Sequence, residues 1–292
     1  MLECVPNVSE GRNEAVLDAL SDACGLSLLD RHFDHDHHRS VFTLAGPGPN
    51  DAETATRGLA RAVARIVRVH DHDGVHPRFG ALDVVPLVAL GPSRVEMERC
   101  VEAARAFARW WATEHAVPCF LYDKASPTEV TLPDVRRRAF RISRPDVGPP
   151  EPHPLLGATA VGARPSLVAV NCVLEAKDVA VANRIARSVR ESDGGLPGVR
   201  ALAFELEDAG RVQVSMNLVD LETTGLEAAV VAVADRAHTE GTEVEEVELV
   251  GLLPGREMNR CSESFLRWAR IDVDRTVEAR IAQRLAERSA AT

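Results

Sequence analysis

The chain has no apolar run of about 18 residues or more, so no membrane-spanning helix is expected. Its start, Met1-Leu2-Glu3-Cys4-Val5-Pro6, lacks the basic residues and apolar stretch of a secretory signal. The six cysteines, at 4, 24, 100, 119, 172 and 261, contain no C-x-x-C pair. They read as reduced thiols of a cytoplasmic protein rather than a disulfide framework. Positive charge is also in deficit: 34 Lys+Arg face 44 Asp+Glu, a net charge of −10. That balance argues against nucleic acid as a partner, because phosphate neutralisation needs a basic face. Small anions are not excluded, since a few arginines can override the mean field locally. The G-x-S-x-G elbow, the H-E-x-x-H pair, the Walker loop and the dinucleotide fingerprint are all missing.

What the chain does have is an ordinary globular composition, 45% hydrophobic and 27% charged over 292 residues. That length suggests roughly two domains. The histidines are concentrated: His32, His35, His37, His38, His70, His72 and His76 fall in one stretch. They are the groups whose charge changes near neutral pH.

Periodicity predicts strands at Glu3–Val8, Leu26–Asp30 and Val41–Ala45, with a helix from about Asn13 to Cys24. A helix over Asp51–Val69, a buried strand over Ala81–Leu90, a helix over Val95–His115 and a strand over Val117–Tyr122 follow. The second half reads as strand Ser166–Leu174, helix Lys177–Glu191, a hairpin of Val199–Glu207 and Val212–Val219, helix Thr224–Glu240 and strand Val244–Val250. A charged helix closes the chain over about Val273–Thr292. The two halves repeat one order of elements at a spacing of about 126–130 residues, which implies a structural duplication. The expected fold is α/β of the α+β type: two ferredoxin-like-related subdomains, residues 1–162 and 163–292, with mixed sheets facing each other and helices outside. The joint, Arg141–Pro165, is rich in proline and glycine. Composition favours a stiff linker there over a binding loop, and excludes a central strand.

Two segments could carry chemistry. The first is His72-Asp73-Gly74-Val75-His76-Pro77-Arg78-Phe79-Gly80-Ala81-Leu82-Asp83. Pro77 biases His76 towards an extended backbone, and a histidine held that way suits general acid–base work. Arg78 could hold a carboxylate, and Asp83 could orient a histidine or meet an amino group. The alternative is an ordinary hydrogen-bonded loop. The second segment is His32-Phe33-Asp34-His35-Asp36-His37-His38-Arg39-Ser40. A metal site, a substrate contact through Arg39 and Ser40, and a plain polar connection all fit it. In the alternating run Val212-Gln213-Val214-Ser215-Met216-Asn217-Leu218, the three polar residues share one face. That face lines a polar cleft or meets solvent.

At these residues the sequence resembles the glutamate formimidoyltransferase family. The resemblance runs through about residues 3–254. It includes Glu3-Cys4-Val5-Pro6-Asn7-Val8-Ser9-Glu10-Gly11, Asp36-His37-His38-Arg39-Ser40-Val41 and Gly74-Val75-His76-Pro77-Arg78-Phe79-Gly80-Ala81-Leu82-Asp83-Val84. Gly157-Ala158-Thr159-Ala160-Val161-Gly162-Ala163-Arg164, Gln213-Val214-Ser215-Met216-Asn217-Leu218 and Glu248-Leu249-Val250-Gly251-Leu252 continue it. It implies transfer of a formimino group from N-formimino-L-glutamate to tetrahydrofolate, as co-substrate, in histidine degradation. It also implies a cytoplasmic homodimer, with a folate-binding tunnel between opposed sheets. The family's catalytic histidine falls on His76. Its folate-binding segment falls on Gly148-Pro149-Pro150-Glu151-Pro152-His153-Pro154-Leu155-Leu156-Gly157, which turns the linker reading of that joint into a binding loop. The family pattern has Asn where His38 stands and Phe where Leu87 stands. No metal is expected, and no cyclodeaminase activity.

Arg39, Arg78 and Arg164 are candidate clamps for the carboxylates of glutamate and folate, and Asp83 a candidate substrate contact. A metal-dependent hydrolase built on the His32–His38 run, a folate-binding protein without activity, and a formyl donor in place of formimino are the alternatives.

Overall fold

The computed structural model describes residues 2–48, 50–69, 78–91, 93–206 and 210–290. His76 and the turn residues Glu207–Ala209 lie outside that set. The elements in chain order are β1 (Leu2–Cys4), β2 (Asn7–Val8), α1 (Glu14–Cys24), β3 (Leu28–Asp34), β4 (Arg39–Ala45), α2 (Asp51–Ile66), β5 (Leu82–Ala89), α3 (Arg94–His115), β6 (Cys119–Asp123) and α4 (Leu132–Arg138). Then come β7 (Thr159–Pro165), β8 (Val168–Leu174), α5 (Val179–Val189), β9 (Val199–Leu206), β10 (Arg211–Leu218), α6 (Leu226–Thr239), β11 (Val244–Val250), α7 (Gly255–Met258), α8 (Glu263–Trp268) and α9 (Val277–Ala290). No helix among the described residues is long and apolar enough to cross a membrane.

The chain divides into two compact units. The first is Met1–Pro165 with Gln283–Thr292, and the second is Ser166–Ala282. The second unit is a β-α-β-β-α-β chain whose antiparallel sheet runs β11-β8-β10-β9, the ferredoxin-like arrangement. Val212, Val214, Met216 and Leu218 of β10 pack with α5 and α6, as the alternation predicts. The hairpin of β9 and β10 is in register from Val199↔Leu218 to Leu206↔Arg211.

The first unit repeats this order and this pairing, as β5–β1/β2–β4–β3, and extends the sheet beyond β5. Its seven-stranded sheet is mixed. β3 pairs with β4, and β1 and β2 together occupy the lane between β4 and β5, antiparallel to both. The run read as one strand, Glu3–Val8, is split at Val5-Pro6. There Phe42 N–H donates to the Pro6 carbonyl at 3.0 Å, and Pro6 itself has no N–H to give. On the far side of β5, β7 lies parallel to β5, and β6 lies parallel to β7.

β7 corrects the reading of the joint, because Thr159–Pro165 is a central strand. The prolines that argued against a strand lie at 145–154 and at the strand's last position. Between them, Gly162 lets the Tyr122 ring lie on the backbone; a Cβ there would sit 2.3 Å from the ring. A subdomain boundary at 162/163 would fall inside this strand.

The helices α1, α2 and α3 cover one face of the first sheet. Their core includes Leu20, Leu59, Val63, Phe107 and Trp111, packed on Phe42, Leu87 and Val161. A buried polar relay crosses it: Trp111 Nε1 donates to Thr159 Oγ1 at 3.0 Å, which donates to the Leu82 carbonyl at 2.7 Å. On the opposite face, Val84, Phe120, Tyr122 and Ala160 pack with Val135 of α4 in a smaller cluster.

Candidate active site

The site in the first unit begins with a register fault. Asn7 of β2 faces Val84 of β5, but the next residue, Val8, faces Leu82. Asp83 is therefore an extra residue in β5, a bulge of the kind that re-aims a side chain. Leu82, Val85 and Leu87 belong to the helix-side core, whereas Val84 belongs to the opposite cluster. Strict alternation would turn Asp83 towards the helices with Val85. The bulge turns it to the face that carries α4.

There Asp83 is fully buried between two arginines. Arg39 Nη1 reaches its Oδ2 at 2.8 Å and Arg136 Nη2 reaches the same oxygen at 2.6 Å. Oδ1 accepts the Phe79 N–H at 2.9 Å. Arg39 also donates to Asn7 Oδ1 through Nε at 3.0 Å and Nη2 at 2.7 Å. Arg136 stacks its guanidinium 5.5 Å from the centre of the Phe79 ring. Burial alone would raise the Asp83 pKa, but the two guanidinium charges outweigh it and hold the carboxyl at about 2. Both guanidiniums thus share one buried carboxylate oxygen.

Asp83 also fixes a loop end. The described residues on each side of 70–77 are tied to the proline-rich segment. Val69 N–H donates to Leu155 O at 3.0 Å, Ala81 N–H to Leu156 O at 2.9 Å, and Ala158 N–H to Phe79 O at 2.8 Å. That segment is itself a closed turn. His153 and Gly157 exchange both backbone bonds at 2.8 Å. His153 Nδ1 accepts the N–H groups of Leu155 and Leu156, each at 3.1 Å. Burial, with Arg68 nearby, holds the His153 pKa below its usual value, which keeps Nδ1 free to accept. Gly157 has φ +68°, and a Cβ there would come within 2.2 Å of the Phe79 carbonyl oxygen. Pro150, Glu151, Pro152 and Pro154 are exposed, as is Leu155, whereas Leu156 and Gly157 are buried.

Arg164 of β7 donates to the Pro165 carbonyl at 3.0 Å, and its charge opposes the upward push that burial gives the Tyr122 hydroxyl. Val161 and Ala163 enter the helix-side core, so Arg164 and Tyr122 belong to the same face as Asp83. The histidine-rich run forms the tip of the β3–β4 hairpin. His37 Nδ1 lies 3.0 Å from Asp34 Oδ2, and His38 Nε2 lies 3.2 Å from Glu10 Oε1. Burial pushes the Glu10 carboxyl up, but the Asn13 and Arg12 N–H groups and His38 bring it below its usual value. No group of three or more His, Cys, Asp or Glu among the described residues is placed to hold a metal.

Sequence comparison covers both units. The model of the formiminotransferase domain's N-terminal subdomain matches residues 1–164, and that of the formiminotransferase domain matches 169–286. The chain belongs to the formiminotransferase family. It is 35% identical over 282 residues to the glutamate formimidoyltransferase of Streptococcus pyogenes serotype M1, covering 91% of this chain and 93% of that one. It is 33% identical to the enzyme of that name from Thermoplasma acidophilum, covering 96% and 97%. Against the formimidoyltransferase-cyclodeaminase of Gallus gallus it is 35% identical over 289 residues, which is 52% of that longer protein. Its relatives of matching length are transferases by name, and this chain is an enzyme of that class.

Of the residues singled out in the sequence, the structure brings Arg39 and Asp83 into contact and sets the 153–157 turn against both described flanks of the His76 segment. Arg164 lies on the same face as Asp83, and its partner is the Pro165 carbonyl. Arg78 is the first described residue after the gap. Arg136 and Asn7 were not singled out. Arg136 sits on α4, whose start is signalled by Thr131-Leu132-Pro133-Asp134: Thr131 caps the Asp134 N–H and its hydroxyl donates to Asp134 Oδ2 at 2.8 Å. The helix was therefore readable. That Arg136 reaches a carboxylate 53 residues away was not.

Proposed function

We propose that the protein transfers the formimino group of N-formimino-L-glutamate to tetrahydrofolate, giving 5-formiminotetrahydrofolate and L-glutamate, in histidine degradation. Family membership across both units supports the reaction class. The observation that carries the reading is the buried Arg39–Asp83–Arg136 cluster joined through Phe79 N–H to the residues that follow the His76 segment.

In this reading N5 of tetrahydrofolate adds to the formimino carbon, and the adduct expels the amino nitrogen of glutamate. His76 takes the proton that N5 loses and returns one to the leaving nitrogen. The formimino group is itself cationic when protonated, so its carbon is electrophilic without further activation. Asp83 and Arg136 hold Phe79, three residues beyond His76, while Arg39, Arg78 and Arg164 supply positive charge for the carboxylates of donor and folate. The Gly148–Gly157 segment offers folate an exposed proline-rich surface on a turn made firm by His153. The protein works in the cytoplasm as a homodimer.

The test is glutamate release from N-formimino-L-glutamate, with and without tetrahydrofolate. Release is expected only with folate, and His76→Ala is expected to lose about 10²–10⁴-fold in rate while retaining folate binding. Folate-independent release, or near-full activity in the variant, would overturn the proposal.

A further inference from the structure

His153 stands between Pro152 and Pro154, neither of which has an N–H to give. The turn's donors are therefore Leu155, Leu156 and Gly157. Gly157 N–H goes to the His153 carbonyl, and the other two go to the His153 ring at Nδ1. The peptide between Leu155 and Leu156 is held from both sides. Its N–H meets Nδ1 at 3.1 Å, and its carbonyl accepts the Val69 N–H at 3.0 Å. A trans peptide is planar with these two groups opposed, so fixing one aims the other. The next peptide offers the Leu156 carbonyl to Ala81 N–H at 2.9 Å. One imidazole nitrogen thus directs the carbonyl that meets Val69, and the carbonyl that meets Ala81 follows it in the same turn.

Nδ1 can accept only in the neutral ring, with the proton on Nε2; in the charged ring both nitrogens are donors. A proton on Nδ1 would face two N–H groups at 3.1 Å and cancel both bonds at once. The neighbours oppose that charge. Arg68 follows α2, and its guanidinium is tied to the carbonyls of Ala64, Arg65 and Val67. His115, at the end of α3, lies close enough for its own pKa to be lowered by a charge on His153. Glu114 beside it is bound by Arg61 at 3.0 Å. On its own segment His153 has Glu151, which is exposed. The His153 ring is half-buried, so a proton can reach it.

We infer that His153 is a positioning residue: neutral, it aims the Leu155–Leu156 peptide at Val69, and protonated, it releases the turn. The consequence for folate binding rests on the function proposed above; the device itself does not. The folded ring resists protonation more than an unfolded one. The latch is therefore complete above the ordinary histidine value of about 6.5 and is lost as pH falls below it.

The test is hydrogen exchange of the Leu156 and Val69 amides, followed by NMR from about pH 7.5 to about pH 5.5. Wild-type protein is compared with His153→Asn, whose Oδ1 accepts but does not titrate, and with His153→Ala, which has no acceptor. Wild-type protection should fall about tenfold over that range, beyond the intrinsic pH dependence of exchange. His153→Asn should keep its protection throughout, and His153→Ala should lack it at both ends. The dissociation constant for tetrahydrofolate should follow the same three patterns. The wild-type titration decides by itself if either variant fails to fold. Protection that ignores pH in the wild type, or that falls equally in His153→Asn, would overturn the inference and leave the proposed function standing. A turn that titrates as described in a protein that binds no tetrahydrofolate would uphold the inference and overturn the proposed function.

Discussion

Each unit buries a carboxylate, and the two are held in different ways. In the first, Asp83 is fully buried and gripped by Arg39 and Arg136, themselves largely withdrawn from solvent. In the second, Glu257 is 1% exposed, accepts the Leu226 N–H at the start of α6 at 2.6 Å, and meets Arg260 at 3.2 Å. Asp83 sits on a bulge, joins β4, β5 and α4, and faces the side of the sheet that carries α4. Glu257 caps a helix, a local structural task. A buried charge with two buried counter-charges is a poor way to gain stability, since desolvation consumes most of the attraction. Its presence in the first unit therefore points to function, whereas the second is explained by the helix it starts.

The largest effect should come from breaking the first arrangement. Asp83→Asn retains the shape and the acceptor for Phe79 N–H but removes the buried negative charge that both guanidiniums face. A loss of about 3–5 kcal/mol in denaturant unfolding is expected. The pH dependence follows from the same carboxyl. Its folded pKa of about 2 lies below the unfolded carboxylate value, so its contribution is complete above about pH 4 and is lost as pH falls through about 2. Wild-type stability should fall across that window, and Asp83→Asn should flatten the fall.

Next comes Gly157→Ala, which tests whether the closed turn must approach Phe79 so nearly. The added methyl meets the Phe79 carbonyl oxygen in a left-handed backbone. About 1–3 kcal/mol should be lost, with folate affinity falling by more than the melting temperature alone explains. Unchanged folate affinity would separate the turn from binding.

Glu257→Gln should be the mildest. The amide oxygen still accepts the Leu226 N–H, and only the charge at the helix start is removed. About 1 kcal/mol is expected by thermal unfolding, with transfer activity intact. A cost equal to that of Asp83→Asn would erase the contrast between the two units.

How much of this was legible in the sequence depends on the range of the interaction. Alternation placed Gln213, Ser215 and Asn217 on one face, and Asn13 marked the start of α1 correctly. β11 has the bounds that its pattern predicts. Asp83 shows the limit. Its alternation points to the helix side, and only the register shift against β2 reverses it, a fact that needs both strands at once. The histidine run shows a second limit. Its composition left metal, substrate contact and plain connection open, and the approach of His38 to Glu10, on a segment remote in sequence, could not be read from the run itself. β7 was hidden because a composition window averaged its seven residues with the prolines before it.

The first unit is made from two stretches of chain, and the second stretch, in α9, follows the whole of the second unit. Arg284 on α9 donates to the Leu28 carbonyl at 3.0 Å, across 256 residues. Closing so long a loop costs little more than closing one half its length, because the penalty grows only with the logarithm. The cost is paid in time instead. On the ribosome, the second unit has all its strands before the first receives its last piece. The first sheet is itself complete at Pro165, and what joins that unit later is helix, the turns of α9 after residue 282.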